Sequence, residues 1–200
     1  MSGKREREEI GAPSIADGAA IWRIARDSRA LDLNSSYAYL LWCRDFAETS
    51  AVARVDGEVV GFVIGFVRPR RPDTVVVWQI AVDESQRGSG LGGRLLDHLM
   101  ARVAAQGAYH LETTITPGNA ASVGLFASLA KRHDARLRRT ELFGAEQFPD
   151  EHEAEDLYRI DFPNGMESSE RFRHDRVRGA ELLPELAGDI RSRDRQPDLR

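Results

Sequence analysis

The segment Val75–Arg94, VVVWQIAVDESQRGSGLGGR, constrains the fold of this chain more than any other. It begins with β-branched and apolar residues typical of a buried strand, continues through a polar turn, and ends in residues at helical spacing. Between the strand and the helix lie Arg87, Gly88, Gly90 and Gly92. Glycines allow the backbone to approach a ligand closely, and the first turn of a helix leaves amide N–H groups without partners. The segment therefore predicts a strand, a turn and a helix whose N-terminus binds an anion, most simply a pyrophosphate.

Patterns on both sides of this segment predict a domain that mixes helices and strands. Ser14–Asp17 resembles a capping box, and Asn34 or Ser35 can cap a second helix. Asp56-Gly57 marks a tight hairpin turn. The predicted helices span 15–28, about 35–46, 91 to about 106 and 120–131, and the predicted strands span 51–55, 58–67, 75–82, 109–116, 137–143 and 156–162. Hairpins followed by alternating strands and helices indicate an α+β domain with a mixed sheet.

Bulk composition excludes several classes of protein. The 200 residues suit one domain, and the net charge of −4 argues against a general nucleic-acid or anionic-membrane surface. One cysteine excludes an internal disulfide. The N-terminal sequence lacks the apolar segment of a secretory signal, and no run is long enough to cross a bilayer, so we expect a cytoplasmic protein. We expect a disordered arm at 1–12, a folded domain at 13–162 and a charged, disordered tail at 163–200.

The glycines also match a dinucleotide-binding fingerprint, because Gly88, Gly90 and Gly93 fit G-x-G-x-x-G. In that fold the first glycine follows the strand almost directly, and the unit lies among parallel strands. Here residues 83–87 intervene and a hairpin precedes the strand. The chain also has no G-x-x-x-x-G-K, and therefore no phosphate-loop lysine. The spacing Arg87-x-x-Gly90-x-Gly92 fits the sequence better.

This spacing resembles motif A of the GNAT acetyltransferases, in which the loop amides bind the pyrophosphate of acetyl-CoA. Asn119-Ala-Ala-Ser-Val-Gly-Leu-Phe126 resembles the next motif of that superfamily. The resemblance implies a mixed sheet flanked by helices, with two central strands that splay apart and hold the pantetheine arm through backbone hydrogen bonds. It also implies acetyl-CoA as cosubstrate and no metal. The residues that it assigns to acetyl-CoA are Ile80, Ala81, Val82, Arg87, Gly88, Ser89, Gly90, Leu91, Gly92, Asn119 and Phe126.

One residue departs from the superfamily pattern. The aromatic of the second motif is often a tyrosine that protonates the departing CoA thiolate, but this chain has Phe126, which has no proton to give. Either another residue donates, or the thiolate leaves unaided and takes its proton from water. The modest pKa of a thiol permits the second route.

Four longer blocks carry a narrower resemblance. They are Leu31–Ala53, Pro72–Ser85, Leu111–Ser122 and His152–Tyr158, and they closely resemble the diaminobutyrate acetyltransferases of ectoine synthesis. The resemblance implies acetyl transfer to the γ-amine of L-2,4-diaminobutyrate, on the way to an osmoprotectant, by a homodimer. Other acceptors such as ornithine, lysine or a polyamine stay open. So do two other classes of protein, a nucleotide-binding oxidoreductase and a sensor that binds CoA without catalysis.

A diamine acceptor with one carboxylate needs groups for its ammoniums and a route for proton removal, because an ammonium cannot attack a thioester. Asp32 and Glu155 are candidate ammonium partners, and His152 or Glu155 can accept the proton directly or through water. Trp78, beside the acetyl position, and Tyr37, at the start of the second helix, are candidate walls of the site. We expect direct attack of the amine on acetyl-CoA in a ternary complex, with the thioester carbonyl polarised by a strand N–H.

Several of these residue types also fit structural roles. Cys43 lies in the apolar helix AYLLWCRDF, so a buried structural thiol is favoured over an acyl-carrying nucleophile. The spacing of His152 and Glu155 fits a pair of metal ligands, but no third ligand is evident. Glu112, on an inner strand, can hold a water or an amine, or pair at the surface. The partner of the substrate carboxylate stays open, with Arg68 and Arg70 as candidates that the spacing does not decide.

Overall fold

The computed structural model of the protein describes residues 7–163 as a sheet of seven strands with four α-helices. The strands are β1 (Glu8–Gly11), β2 (Ala51–Val55), β3 (Glu58–Arg68), β4 (Arg71–Val82), β5 (His110–Ile115), β6 (Arg136–Phe143) and β7 (Glu155–Asp161), and the helices are α1 (Gly18–Ser28), α2 (Ser36–Asp45), α3 (Leu91–Ala104) and α4 (Ala120–Arg132). The strands lie in the order β1-β2-β3-β4-β5-β7-β6, and β4 and β5 alone among them pair in parallel. The predicted α+β fold with a mixed sheet is confirmed.

Short-range hydrogen bonds fix where three of the helices begin. The backbone N–H of Ser14 donates to Asp17 Oδ2 at 2.6 Å, which completes the predicted capping box before α1. Of the two caps predicted for α2, Ser35 is the one used, since its Oγ accepts from the Ala38 amide. The Asn119 side chain accepts from an amide in the first turn of α4 at 3.0 Å. These polar caps therefore define the helix boundaries through contacts between residues close in sequence.

The N-terminal segment departs from the prediction. Residues 8–11 form β1, which pairs antiparallel with β2 and places Ile10 opposite Ala53. The prediction of a disordered arm through residue 12 is therefore wrong for this stretch. The physical reason is that the edge of β2 presents unpaired N–H and C=O groups, which an extended segment satisfies while Ile10 packs on the core. Residues 1–6 and the part of the predicted tail at 164–200 lie outside the described residues.

Two apolar layers cover the sheet, because alternate side chains of each strand point to opposite faces. α3 and α4 bury one face, where Leu95 packs fully enclosed near Leu111. α1 and α2 cover the other face over β2, β3 and the end of β4, where Ile24 and Tyr39 pack with Phe62. No helix within residues 7–163 is long and apolar enough to span a membrane.

The remainder of the second face is here called the open face. It consists of the side chains of β4, β5 and β7 that point away from α3 and α4, among them Trp78, Thr114 and Glu155. Helix α2 borders this part of the sheet through Trp42, whose ring lies beside that of Trp78. Trp78 is nevertheless 54% exposed. The open face is the part of the sheet that a small acceptor molecule can reach.

The two central strands separate beside the open face. β4 and β5 pair in parallel at three positions, and the pairing ends at Val76 and Glu112 although both strands continue. Beyond that point the Thr113 hydroxyl donates to the Val77 carbonyl at 3.1 Å. The splay predicted from the resemblance is therefore present, and it leaves one backbone edge of β4 available to a ligand.

Candidate active site

The turn between β4 and α3 exposes a row of backbone amides. Gly88 and Gly90 each have a φ of +78°, a left-handed conformation that costs other residues about 1–2 kcal/mol. Gly90 is the N-cap of α3, and its carbonyl accepts from the Arg94 amide at 3.2 Å. The earlier amides of the helix have no partner within it, and Arg87 and Ser89 lie exposed beside them. Amides, helix dipole and one guanidinium thus converge on a surface suited to a pyrophosphate.

An ion pair ties this turn to α1. Arg23 Nη1 donates to Asp83 Oδ2 at 2.8 Å, and the other oxygen of Asp83 accepts from the Ser85 amide at 3.3 Å. A cavity of about 500 Å³ lies between the end of α1 and the turn, and its lining includes Arg23, Val82 and Arg87. The Arg23–Asp83 ion pair therefore holds the turn against α1 and lines the cavity beside it.

A β-bulge in β4 sets the side chains beside the splay. β3 and β4 lose register between Ile64 and Gly65, which leaves Trp78 as the extra residue of β4. The Trp78 ring stacks on Trp42 with centroids 6.3 Å apart. Glycine is required at position 65, because a Cβ there would lie 2.5 Å from the carbonyl oxygen of Val76. The bulge thus turns a large aromatic ring onto the open face at the place where β4 and β5 diverge.

Asp32 and His152 meet at the edge of the open face although they are far apart in sequence. His152 Nε2 lies 2.9 Å from Asp32 Oδ2 and 3.9 Å from Glu155 Oε1. Its Nδ1 lies 2.7 Å from the carbonyl oxygen of Glu153, and its ring stacks on Phe148 at 4.3 Å. A carbonyl and a carboxylate can only accept, so both ring nitrogens are placed to donate. The Glu153 carbonyl first, and Asp32 second, accordingly raise the pKa of His152.

Glu155, unlike His152, has a side-chain atom without a hydrogen-bond partner among the described residues. Its side chain is 15% exposed, and burial raises the pKa of its carboxyl, while Thr114 and His152 oppose that rise. Its Oε2 is buried and makes no hydrogen bond to any side chain or backbone group within residues 7–163. A buried acceptor without a partner costs free energy unless a donor arrives from outside the chain. Glu155 is therefore placed to accept a proton or to hold an ammonium.

One buried side chain connects the Asp32 loop to β4. Gln79 Nε2 donates to the backbone carbonyl of Asp32 at 2.6 Å, and Gln79 Oε1 accepts from the Tyr39 hydroxyl at 3.0 Å. Gln79 is 6% exposed and Tyr39 is fully buried. The amide has one orientation, because the Asp32 carbonyl can only accept. This Gln79 bridge fixes the loop that carries the Asp32 carboxylate.

The structure separates the other sequence candidates from this cluster. Tyr37 is 65% exposed, and its hydroxyl makes no hydrogen bond within residues 7–163. Phe126 is 2% exposed and belongs to the core under α3 and α4, on the side away from the open face. Burial raises the pKa of Cys43 to about 11, which agrees with a structural thiol. Among the described residues, no three His, Cys, Asp or Glu side chains group closely enough to hold a metal ion.

Sequence reasoning missed the Gln79 bridge and the partners of Glu112. Gln79 interrupts the apolar run VVVWQIAV, and a lone amide in a buried strand is a usable signal because it needs hydrogen-bond partners. Glu112 is 3% exposed and is held by Arg68 and Arg159. No short-range pattern points to these partners, because Glu112, Arg68 and Arg159 lie on three different strands.

A family model described as the Acetyltransferase (GNAT) family matches residues 19–130, more than half of the chain. The chain belongs to the acetyltransferase (GNAT) family. The matched residues include the glycine turn at Gly90 and most of the helix that follows Asn119. The prediction of an N-acetyltransferase is confirmed.

Two relatives of this acetyltransferase carry the same name. It is 64% identical over 154 residues to an L-2,4-diaminobutyric acid acetyltransferase of Streptomyces anulatus, with 76% of this chain and 88% of the other covered. It is 60% identical over 151 residues to the protein of that name from Nocardia farcinica, with 76% and 78% covered. A solved structure, the diaminobutyrate acetyltransferase EctA from Paenibacillus lautus in complex with its substrate L-2,4-diaminobutyric acid and coenzyme A, is 39% identical with a TM-score of 0.74 and covers 78% of this chain and 95% of that one. The predicted resemblance to the diaminobutyrate acetyltransferases is confirmed as well.

Proposed function

We propose that this acetyltransferase transfers the acetyl group of acetyl-CoA to the γ-amine of L-2,4-diaminobutyrate, the step before ring closure to ectoine. Relatives named for this activity are 60% and 64% identical to the chain. The observation that carries the proposal is the buried Glu155 carboxylate, whose Oε2 lacks a partner within residues 7–163. A buried anion on the open face suits an acceptor that arrives with positively charged amines.

In this proposal the exposed amides of the glycine turn bind the pyrophosphate of acetyl-CoA, with Arg87 adding a positive charge. Ile80, Ala81 and Val82 hold the pantetheine arm, because the edge of β4 beyond the splay offers N–H and C=O groups as a strand would. An N–H of that edge polarises the thioester carbonyl and stabilises the oxyanion that forms there. The acetyl group then faces Trp78 and the open face.

Glu155 removes the proton from the γ-ammonium. His152 is less suited to that task, since its two ring nitrogens donate to the Glu153 carbonyl and to Asp32. The neutral amine attacks the thioester carbon, a C–N bond forms, and the C–S bond breaks as the tetrahedral intermediate collapses. The proton released as the amide forms reaches the CoA thiolate through water, because Phe126 has none to give. A leaving thiol of modest pKa makes this tolerable.

The proposal is tested by following free thiol while the purified protein acts on acetyl-CoA and L-2,4-diaminobutyrate. Glu155→Gln keeps the size of the side chain but removes the base, so we expect kcat to fall about 10²- to 10⁴-fold. The KM for acetyl-CoA should stay within about twofold, since Glu155 lies away from the glycine turn. Glu153→Gln is the matched control, because that exposed carboxylate lies two residues earlier in the same segment.

No thiol release by the folded wild-type protein would refute the proposed function. Equal losses of turnover and of acetyl-CoA affinity in Glu155→Gln would contradict the role of Glu155 at the acceptor amine. They would leave the proposed acetyl transfer itself standing. Ornithine, lysine and polyamines complete the acceptor panel, and NMR of the product identifies which amine carries the acetyl group.

The proposal extends to the organisation of the protein. Residues 13–162 serve as the acetyltransferase domain, to which β1 adds an edge strand, and 163–200 follow as a tail. We expect a homodimer that acts in the cytoplasm during osmotic stress. Size-exclusion chromatography with light scattering measures the molar mass of the purified protein and so tests the expected homodimer.

A further inference from the structure

A cluster of charged side chains on the open face is not used by the proton transfer described above. At its centre lies Glu112, which is 3% exposed. Arg68 Nη1 lies 2.6 Å from Glu112 Oε2, and Arg159 Nη1 lies 2.6 Å from Glu112 Oε1. Each carboxylate oxygen therefore has its own guanidinium. Such charge-assisted contacts fix the position of both arginines.

The cluster carries an excess of positive charge. Arg159 Nε also donates to Asp161 Oδ1 at 2.8 Å, and Arg138 pairs with the second oxygen of Asp161. Three guanidiniums thus face two carboxylates. Burial lowers the pKa of the neighbouring His110, which keeps that ring from adding charge near neutral pH.

Arg68 is less completely paired than Arg159. Arg159 is 13% exposed at its side chain and bridges two carboxylates, whereas Arg68 is 44% exposed and bonds to Glu112 through Nη1. The remaining N–H groups of Arg68 have no hydrogen-bond partner within residues 7–163. A planar guanidinium that is oriented on one side and free on the other is suited to a second carboxylate.

The distance from this cluster to the candidate base suits the proposed acceptor. Glu112 and Thr114 lie two residues apart on the same side of β5, about 7 Å along the strand. Thr114 faces the Glu155 carboxyl. In L-2,4-diaminobutyrate four bonds, or about 5 Å, separate the γ-nitrogen from the carboxylate carbon. A hydrogen bond at each end extends this reach to roughly 11 Å, which exceeds the spacing of about 7 Å between Glu112 and Thr114 along β5.

We propose that Arg68, held in place by Glu112 with Arg159, binds the α-carboxylate of the acceptor amino acid. The inference rests on the proposed function and adds the feature that distinguishes an amino acid from a simple diamine. Glu112 has a positioning role in it, because its carboxylate orients the guanidinium and prevents Arg68 from turning into solvent.

The test compares two acceptors that differ only in the carboxylate. Arg68→Met is assayed with L-2,4-diaminobutyrate and with 1,3-diaminopropane, which is the same diamine without its carboxylate. If 1,3-diaminopropane turns over slowly, its inhibition constant against L-2,4-diaminobutyrate is measured instead. We expect kcat/KM for the amino acid to fall about 10- to 100-fold, mainly through KM, because a charged hydrogen bond is lost. The constant for 1,3-diaminopropane should change by less than about threefold.

Two variants serve as controls. Arg68→Lys keeps the positive charge but lacks the planar guanidinium that can donate two parallel hydrogen bonds. Compared with Arg68→Met, it should recover part of the preference for the amino acid. Arg70→Met removes an exposed cation two residues further along, in the turn after β3, and should leave both acceptors as in the wild type. Equal losses for both acceptors in Arg68→Met, or no loss for either, would overturn the proposed carboxylate site. A wild-type protein that does not acetylate L-2,4-diaminobutyrate at all would instead overturn the proposed function.

Discussion

Replacement of Gln79 by leucine tests how the acceptor site is held together. The substitution introduces an apolar side chain of similar size and removes both hydrogen bonds of the Gln79 bridge, at 2.6 Å to the Asp32 carbonyl and at 3.0 Å to the Tyr39 hydroxyl. An unsatisfied buried polar group costs about 1–3 kcal/mol. Tyr39 is fully buried and pays this cost, whereas the Asp32 loop is exposed and can turn its carbonyl to water.

The expected loss of unfolding free energy in Gln79→Leu is therefore about 1–3 kcal/mol, not twice that figure. For a protein of this size each kcal/mol lowers Tm by about 2–4 °C, so thermal denaturation should show a decrease of roughly 2–12 °C. The released loop no longer presents the Asp32 carboxylate to His152. We expect the KM for the acceptor to rise about tenfold and the KM for acetyl-CoA to stay within about twofold.

Tyr39→Phe is the matched control, because it removes the same hydroxyl interaction and leaves the bond from Gln79 to Asp32 in place. It should lower the free energy of unfolding by about 1–3 kcal/mol, because the buried Gln79 Oε1 loses its donor, without changing the acceptor KM. If Gln79→Leu lowers Tm but leaves the acceptor KM at the wild-type value, the bridge does not position the loop and the reasoning fails.

Two further predictions follow from the backbone and from the charge of the site. Gly65→Ala should destabilise the fold by about 1–3 kcal/mol in urea denaturation, because the new Cβ would lie 2.5 Å from the Val76 carbonyl oxygen, whereas Gly11→Ala, with nothing within 4 Å, should be near neutral; equal effects would contradict this account of the bulge. The pKa of His152 is raised in the folded state, by the carbonyl of the next residue and then by Asp32, so its stabilising contribution is full below the unfolded pKa of about 6.5 and is lost as the pH rises through the folded pKa. His152→Gln should remove this decline from a plot of unfolding free energy against pH, and an unchanged plot would show that the contact with Asp32 does not form in solution.

Interactions between neighbouring residues were predictable from the sequence. The capping box at Ser14, the start of α4 at Ala120 and the hairpin around Asp56-Gly57 all lie where the local pattern placed them. The reason is that hydrogen bonds across three residues and the left-handed preference of glycine depend on nearby chemistry alone. The glycine turn at Gly90 was predictable for the same reason. Its residue spacing was also enough to indicate the family.

The tertiary structure alone decided how distant residues combine. Asp32 and His152 stand 120 positions apart. The Glu112 cluster draws its arginines from β3 and β7, and the pairing of β1 with β2 has no local signal in a charged segment. Pairings of this kind depend on strand order and on a bulge at Trp78, which arise from the packing of the whole sheet. The sequence by itself determined the chain's local elements, its glycine turn and its family. The fold decided which buried carboxylate oxygen, Glu155 Oε2, has no hydrogen-bond partner within residues 7–163, and which arginine of the Glu112 cluster is the more exposed, because burial and ion pairing are properties of the packed sheet.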